Sequence, residues 1–178
     1  PTAPVAAGGL VFVGGADGIV RALRASTGQE QWKAYTGGGI RFPPSLWQGR
    51  ALVGSGDGWV YAFEAVTGRR LWRFRVAPAE RKIPVYGSLI STWPAAGGVL
   101  VEDGVAYVAA GIVNYDGTHV YALDAGTGAI RWQNSSSGHL DPASQTGVSV
   151  QGPPLLHAGK LYMPGGNAAS PAVYDVAN

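Results

Sequence analysis

The chain has 178 residues, of which 46% are apolar and only 13% charged, with a net charge of +2. A typical globular domain has roughly 25% charged residues, so this composition favours a compactly packed chain over a disordered one. The scattered basic residues leave no concentrated patch for nucleic acid, no apolar run approaches the ~18 residues of a membrane-spanning helix, and the absence of cysteine excludes disulfides and thiolate metal sites from these residues.

Glycine is the outlier, at 28 residues. Without a collagen period, and beside many Val, Tyr and Trp residues, it predicts numerous tight turns between short strands. The chain opens at Pro1 inside what reads as one repeat and stops at Asn178 inside another, so a segment of a longer protein is expected. The lack of a visible signal peptide then carries no information.

The first predicted strand is Gly9-Leu-Val-Phe-Val13, and its counterparts are Gly49-Arg-Ala-Leu-Val53, Gly104-Val-Ala-Tyr-Val108 and Gly159-Lys-Leu-Tyr-Met163. Glycine-rich turns follow, as in Gly14-Gly-Ala-Asp-Gly18 and Gly54-Ser-Gly-Asp-Gly58. Asp-Gly between two apolar runs is a hairpin signal, because glycine reaches positive φ without a Cβ clash. The next strands are Ile19–Leu23, Trp59–Phe63 and Thr118–Leu123. The second of them is apolar on both sides, Val60 and Ala62 pointing one way and Tyr61 and Phe63 the other, which requires a neighbouring sheet on each face.

An eleven-residue phrase comes next, three times: Ala22 to Trp32, Ala62 to Trp72 and Ala122 to Trp132. It has the form Ala-x-(Asp/Glu/Arg)-x-x-Thr-Gly-x-x-x-Trp. Repeat periods in the tens mean stacked units. Asp124 suits the start of a type I turn, since its carboxylate accepts backbone N–H bonds. Glu64 does so less well and Arg24 not at all, so the first turn leans on Thr27 and Gly28. The returning strand brings each Trp across from the small Ala, leaving room for a flat indole. Each unit is thus about four antiparallel strands in some 40 residues with no helical periodicity, which describes the blade of a β-propeller.

The phrase resembles the tryptophan-docking motif of the pyrroloquinoline-quinone (PQQ)-type propellers, Ala-x-Asp-x-x-Thr-Gly-x-x-x-Trp. The Gly-x-apolar strand and the Asp-Gly hairpin resemble the same family's repeat. The resemblance implies an all-β domain of four-stranded blades over residues 1–178, with repeats at roughly 1–40, 41–93, 94–150 and 151–178. Three complete blades and most of a fourth would form part of a larger seven- or eight-bladed ring, the remaining blades coming from the same or a neighbouring chain. It also implies that Ala22, Thr27, Gly28, Trp32, Ala62, Thr67, Gly68, Trp72, Ala122, Thr127, Gly128 and Trp132 join blade to blade, and that the protein is periplasmic or extracellular.

Two functional classes follow from that resemblance. In the first, a calcium-bound quinone in the central funnel oxidises an alcohol or sugar, helped by an Asp base. In the second, typified by the outer-membrane assembly lipoprotein, the propeller is a non-catalytic docking scaffold. The adjacent cysteines common beside the quinone are absent here, and the calcium-binding Glu, Asn and Asp match no motif in this chain. A scaffold with no cofactor and a protein partner is the leading expectation, with a PQQ- and calcium-dependent dehydrogenase fragment as the alternative and a carbohydrate-recognition propeller as a third reading.

Function in propellers sits on loops carried by the rigid ring, so the insertions that break the repeat supply the candidates. Arg81, Lys82, Tyr86 and Trp93 are read as a binding wall for sugar or peptide, although the same residues also suit the covering of blade edges. Arg41, Thr92, Trp93, Ser149 and Gln151 precede innermost strands and are expected at the channel mouth. Asn114, Tyr115 and Asp116 lengthen the third hairpin. Asn114 and Asp116 offer two oxygen ligands, far short of the six to eight that calcium takes. His119, His139 and His157 lack metal-ligand spacing.

Overall fold

A computed structural model describes residues 1–85, 87–113, 116–137, 143, 147–166 and 170–177. Tyr86, Asn114, Tyr115 and His139 lie outside the described residues. Each repeat folds as an antiparallel meander in sequence order. The first sheet holds β1 (Val5–Ala7), β2 (Leu10–Gly14), β3 (Ile19–Arg24) and β4 (Glu30–Tyr35). The second holds β5 (Ser45–Trp47), β6 (Arg50–Gly54), β7 (Trp59–Glu64) and β8 (Arg70–Arg75). A two-stranded hairpin, β9 (Lys82–Val85) and β10 (Ser88–Ser91), is inserted before the third sheet of β11 (Leu100–Glu102), β12 (Val105–Ala110), β13 (His119–Asp124) and β14 (Ile130–Asn134). The fourth sheet has three strands among the described residues, β15 (Leu155–His157), β16 (Lys160–Met163) and β17 (Ala172–Asp175). No described residue is α-helical.

Each sheet begins with a three-residue strand that the glycine anchors do not reveal. The anchor glycine is the second residue of the turn closing that strand: Trp47 pairs with Arg50 across Gln48 (φ 39°) and Gly49 (φ 71°), and Glu102 with Val105 across Asp103 (φ 46°) and Gly104 (φ 75°). Two central residues at positive φ make a type I′ turn, whose twist matches that of the flanking strands. The short strand β5 touches both β1 and β11 although the three belong to different sheets. Their convergence marks the inner side of the stack.

The sheets pack face to face through three cores. Phe12, Ala22 and Trp32 of the first sheet meet Ala51, Val53, Tyr61 and Phe63 of the second. Leu52, Val60, Ala62 and Trp72 meet Ala106, Val108, Tyr121 and Leu123 of the third. Tyr107, Val120, Ala122 and Trp132 meet Leu161, Met163 and Ala172 of the fourth. Strand β7 therefore buries both faces, Val60 and Ala62 against one neighbour and Tyr61 and Phe63 against the other, all at 4% exposure or less. The dispersion and area gained on both sides of a six-residue strand outweigh the cost of ordering it.

Candidate functional site

The phrase builds the frame on which any site must sit. Register places Ala22 opposite Trp32, Ala62 opposite Trp72 and Ala122 opposite Trp132, each followed by a bulge. The indole lies over the small alanine and projects to the next sheet. Trp32 Nε1 donates to Ala65 O at 2.9 Å and Trp72 Nε1 to Ala125 O at 3.2 Å. A methyl added at Gly68 would lie 2.6 Å from Trp32 Cδ2, and one at Gly128 2.7 Å from Trp72 Cε3, so glycine is required there by contact as well as by its positive φ. Trp132 packs against the third core and meets the Tyr107 ring at 6.3 Å.

The turns of the phrase differ as their first residues do. Asp124 Oδ1 accepts from Gly126 N, Thr127 N and Thr127 Oγ1, each at 3.0 Å, while Oδ2 pairs with Arg131 at 2.7 Å. The Arg131 pair first, and the Thr127 hydroxyl second, hold the Asp124 carboxyl down at about 2. Glu64 takes only the Thr67 hydroxyl and Arg69. At Arg24 the turn rests on Gly28 N to Arg24 O (2.8 Å) and Gln29 N to Thr27 Oγ1 (3.3 Å).

At one end of the stack the turn tips and the inserted hairpin enclose an open cavity of about 800 Å³. Its wall includes Arg41, Phe42, Val85, Ile90, Ile112 and Gln151. Arg41 is exposed, and Gln151 Nε2 donates to Ile112 O at 3.3 Å. Of the five residues expected at the channel mouth, these two line the cavity. Thr92, Trp93 and Ser149 are buried instead, and Ser149 Oγ accepts from Gly166 N at 2.9 Å.

The hairpin is tied down by a network that joins four candidates. Arg81 Nε donates to Thr92 Oγ1 at 3.0 Å, its NH2 pairs with Asp116, and its guanidinium stacks 4.6 Å above the Trp93 ring. Trp93 Nε1 donates to the Asp116 carbonyl, and the ring meets His119 edge-on at 6.3 Å. Trp93 is 9% exposed with its N–H engaged. The expectation of Trp93 as an open binding wall is therefore corrected: the insertion uses it as the floor beneath Arg81. Asp116 likewise spends its carboxylate on Arg81. Among the described residues no three His, Cys, Asp or Glu side chains gather where they would hold a metal ion.

Sequence reasoning missed a second, polar cleft of about 230 Å³ beside the first, where Asp57, Trp59, Tyr61 and Arg73 meet Glu80 and Lys82. Asp57 Oδ2 accepts from Tyr61 OH at 2.5 Å and from Gly37 N at 2.8 Å, and Arg73 stacks on Trp59 at 4.5 Å. Burial, and then the Asp57 hydrogen bond, push the Tyr61 phenol up to about 12. Tyr61 thus stays a donor and locks the exit loop of the first sheet to the second. The only signal in the sequence is an Asp-Gly turn next to a strand apolar on both faces.

The family model described as outer membrane protein assembly factor BamB matches residues 16–175. A quinoprotein ethanol dehydrogenase of Pseudomonas putida is 51% identical over 41 residues, 23% of this chain and 7% of the dehydrogenase. That stretch is close to one repeat in length. Among solved structures, BamB from Moraxella catarrhalis superposes with a TM-score of 0.71 at 16% identity, over 96% of this chain and 47% of that one. The quinohemoprotein alcohol dehydrogenase of Comamonas testosteroni gives 0.75 at 20% identity, over 93% and 29%. At these identities the structures speak for the fold alone. The chain spans under half the length of the BamB chain, and less of the dehydrogenases.

Proposed function

The chain belongs to the PQQ-type β-propeller family described as outer membrane protein assembly factor BamB, and from that premise we propose that it is a non-catalytic docking scaffold of an extracytoplasmic protein, taking a protein segment at the rim cavity. The observation that supports this reading most is the chemistry of the cavity wall. Among the described residues it is built of Phe42, Val85, Ile90, Ile112 and backbone, with Arg41 and Gln151 as its long polar side chains and no carboxylate. Such a wall suits apolar side chains of an extended peptide with one carboxylate or carbonyl at Arg41.

The 41-residue identity to a quinoprotein ethanol dehydrogenase favours the second reading, a portion of a PQQ- and calcium-dependent oxidoreductase. Calcium takes six to eight oxygen ligands, and the wall presents no Asp or Glu, so the residues described here do not make the donor set for that ion. No catalytic step is derived through it. Of the three aromatics behind the carbohydrate reading, Tyr86, Trp93 and Tyr115, Trp93 is buried.

The test is spectroscopic and kinetic. The chain mixed with PQQ and calcium is expected to leave the quinone absorption band unshifted and to reduce no dye on addition of ethanol or glucose. A shifted band together with alcohol-dependent dye reduction would replace the scaffold with the oxidoreductase.

A further inference from the structure

Basic residues that read as scattered along the whole chain are dense in one segment beside the polar cleft. Between Arg69 and Lys82 stand six of the thirteen lysines and arginines, against one acid, Glu80. Two of the six are spent locally, Arg69 on Glu64 and Arg81 on Asp116. Arg73 of β8 and Lys82 of the inserted hairpin both line the cleft and are exposed. Neither takes part in an ion pair among the described residues, and Glu80, on the same wall, pairs with neither.

The Arg73 guanidinium lies 4.5 Å from the centre of the Trp59 ring. That stack fixes the plane of the group and leaves its N–H edge for a planar acceptor. Asp57, on the same wall, is already committed: Oδ1 accepts from Trp59 N at 3.1 Å, and Oδ2 from Tyr61 OH and Gly37 N. The repeat itself does not call for this charge. Arg73 stands opposite Tyr61 in the ladder, where Lys33 stands opposite Arg21 and Gln133 opposite Tyr121. Lys33 pairs with Glu30 at 3.8 Å and Gln133 is neutral, so of the three only Arg73 holds an unpaired charge, and it holds it over an aromatic ring.

We infer that this cleft is a binding site for the side-chain carboxylate of an acidic protein segment, gripped by the Arg73 guanidinium and flanked by the Lys82 ammonium. A carboxylate supplies the two coplanar oxygens that the guanidinium fork matches. The cleft, at about 230 Å³, is smaller than the ~300–1,000 Å³ of sites that take cofactors and drug-sized ligands. It therefore admits one side chain and leaves the partner's backbone outside. Its walls come from the exit loop of the first sheet, the second sheet and the inserted hairpin, all interior to the chain. The cleft is separate from the rim cavity, so the inference stands whether or not that cavity takes a peptide.

The probe is acetyl-Gly-Glu-Gly-amide, titrated into the isotope-labelled chain while magnetic resonance follows the arginine Nε–H groups and the backbone amides of Gly37 and Trp59. The Arg73 resonance, assigned by its loss in Arg73→Gln, is expected to shift saturably in the millimolar range. Acetyl-Gly-Gln-Gly-amide is expected to bind at least about tenfold more weakly, since it lacks the charge. Arg73→Gln places there the residue that the third repeat carries at Gln133, and should abolish the response of Gly37 and Trp59. Lys82→Gln should weaken binding several-fold, and Arg41→Gln, in the rim cavity, should leave it unchanged. Should Arg73→Gln fail to fold, the glutamine peptide and Lys82→Gln carry the test alone. No saturable shift, equal affinity for the glutamine peptide, an unchanged response in either cleft variant, a response lost in Arg41→Gln, or tighter binding of inorganic phosphate than of the peptide would each overturn the inference.

Discussion

Replacing Trp32 with alanine removes the joint between the first and second sheets while leaving every strand pairing in place. The indole is 8% exposed, packs on Phe12 and Phe63 at centroid distances of 5.9 and 6.5 Å, and covers Gly68. Losing a buried indole costs about 3–5 kcal/mol, and the stranded Ala65 carbonyl adds roughly 1 kcal/mol unless water reaches it. At the ~2–4 °C per kcal/mol typical of this chain length, the midpoint falls by roughly 8–24 °C. Trp32→Phe keeps a ring on Gly68 and loses the N–H, so its cost lies well below that of alanine. Urea and thermal melts followed by far-ultraviolet dichroism avoid the lost tryptophan signal. A Trp32→Ala cost under about 1 kcal/mol, or one equal to that of Trp32→Phe, would refute the view that the indole carries the joint.

Further expectations follow from single contacts. Gly68→Ala and Gly28→Ala both place a methyl at positive φ, φ +73° and +72°, costing about 1–2 kcal/mol each. Only Gly68→Ala also drives into Trp32, so its melt falls by a further ~1–3 kcal/mol, and equal losses would contradict the docking geometry. Asp124 has a folded-state pKa depressed to about 2. Its contribution is therefore complete above the unfolded-state value near 4 and disappears as pH falls toward 2. Asp124→Asn should flatten the acid side of the stability profile between those values, and an unchanged profile would show the turn pairing to be idle. Arg81→Ala breaks an exposed pair worth at most about 1 kcal/mol, so global unfolding moves little. Amide exchange across β9 and β10 should nevertheless quicken, because the hairpin loses its ties to Thr92 and Asp116; equal exchange in both proteins would remove the network's proposed role.

The scaffold was legible in the residues because it is written several times. A repeated Ala, Gly and Trp report one geometric demand each: room for a ring, a left-handed turn and a large apolar body. The three-residue inner strands were not legible, since Val5–Ala7 and Ser45–Trp47 are too short for alternation to show, and only the paired positive-φ turns expose them. The candidate residues fared unevenly for a physical reason. Trp93 and Thr92 occur once each in their setting, so nothing in the sequence distinguishes an aromatic floor from an open wall. Burial of the ring beneath Arg81 depends on a contact with Asp116, 35 residues further along. The polar cleft at Asp57 was hidden because its members also satisfy the repeat, with Tyr61 serving a core face and a hydrogen bond at once.

The claim that the rim cavity is a docking surface rather than a quinone–calcium centre is tested most directly by calcium titration calorimetry on the chain, with and without PQQ. The account predicts no saturable heat in either titration, because no carboxylate among the described residues faces the cavity. One calcium bound per chain with a micromolar Kd, tightened by PQQ, would contradict it.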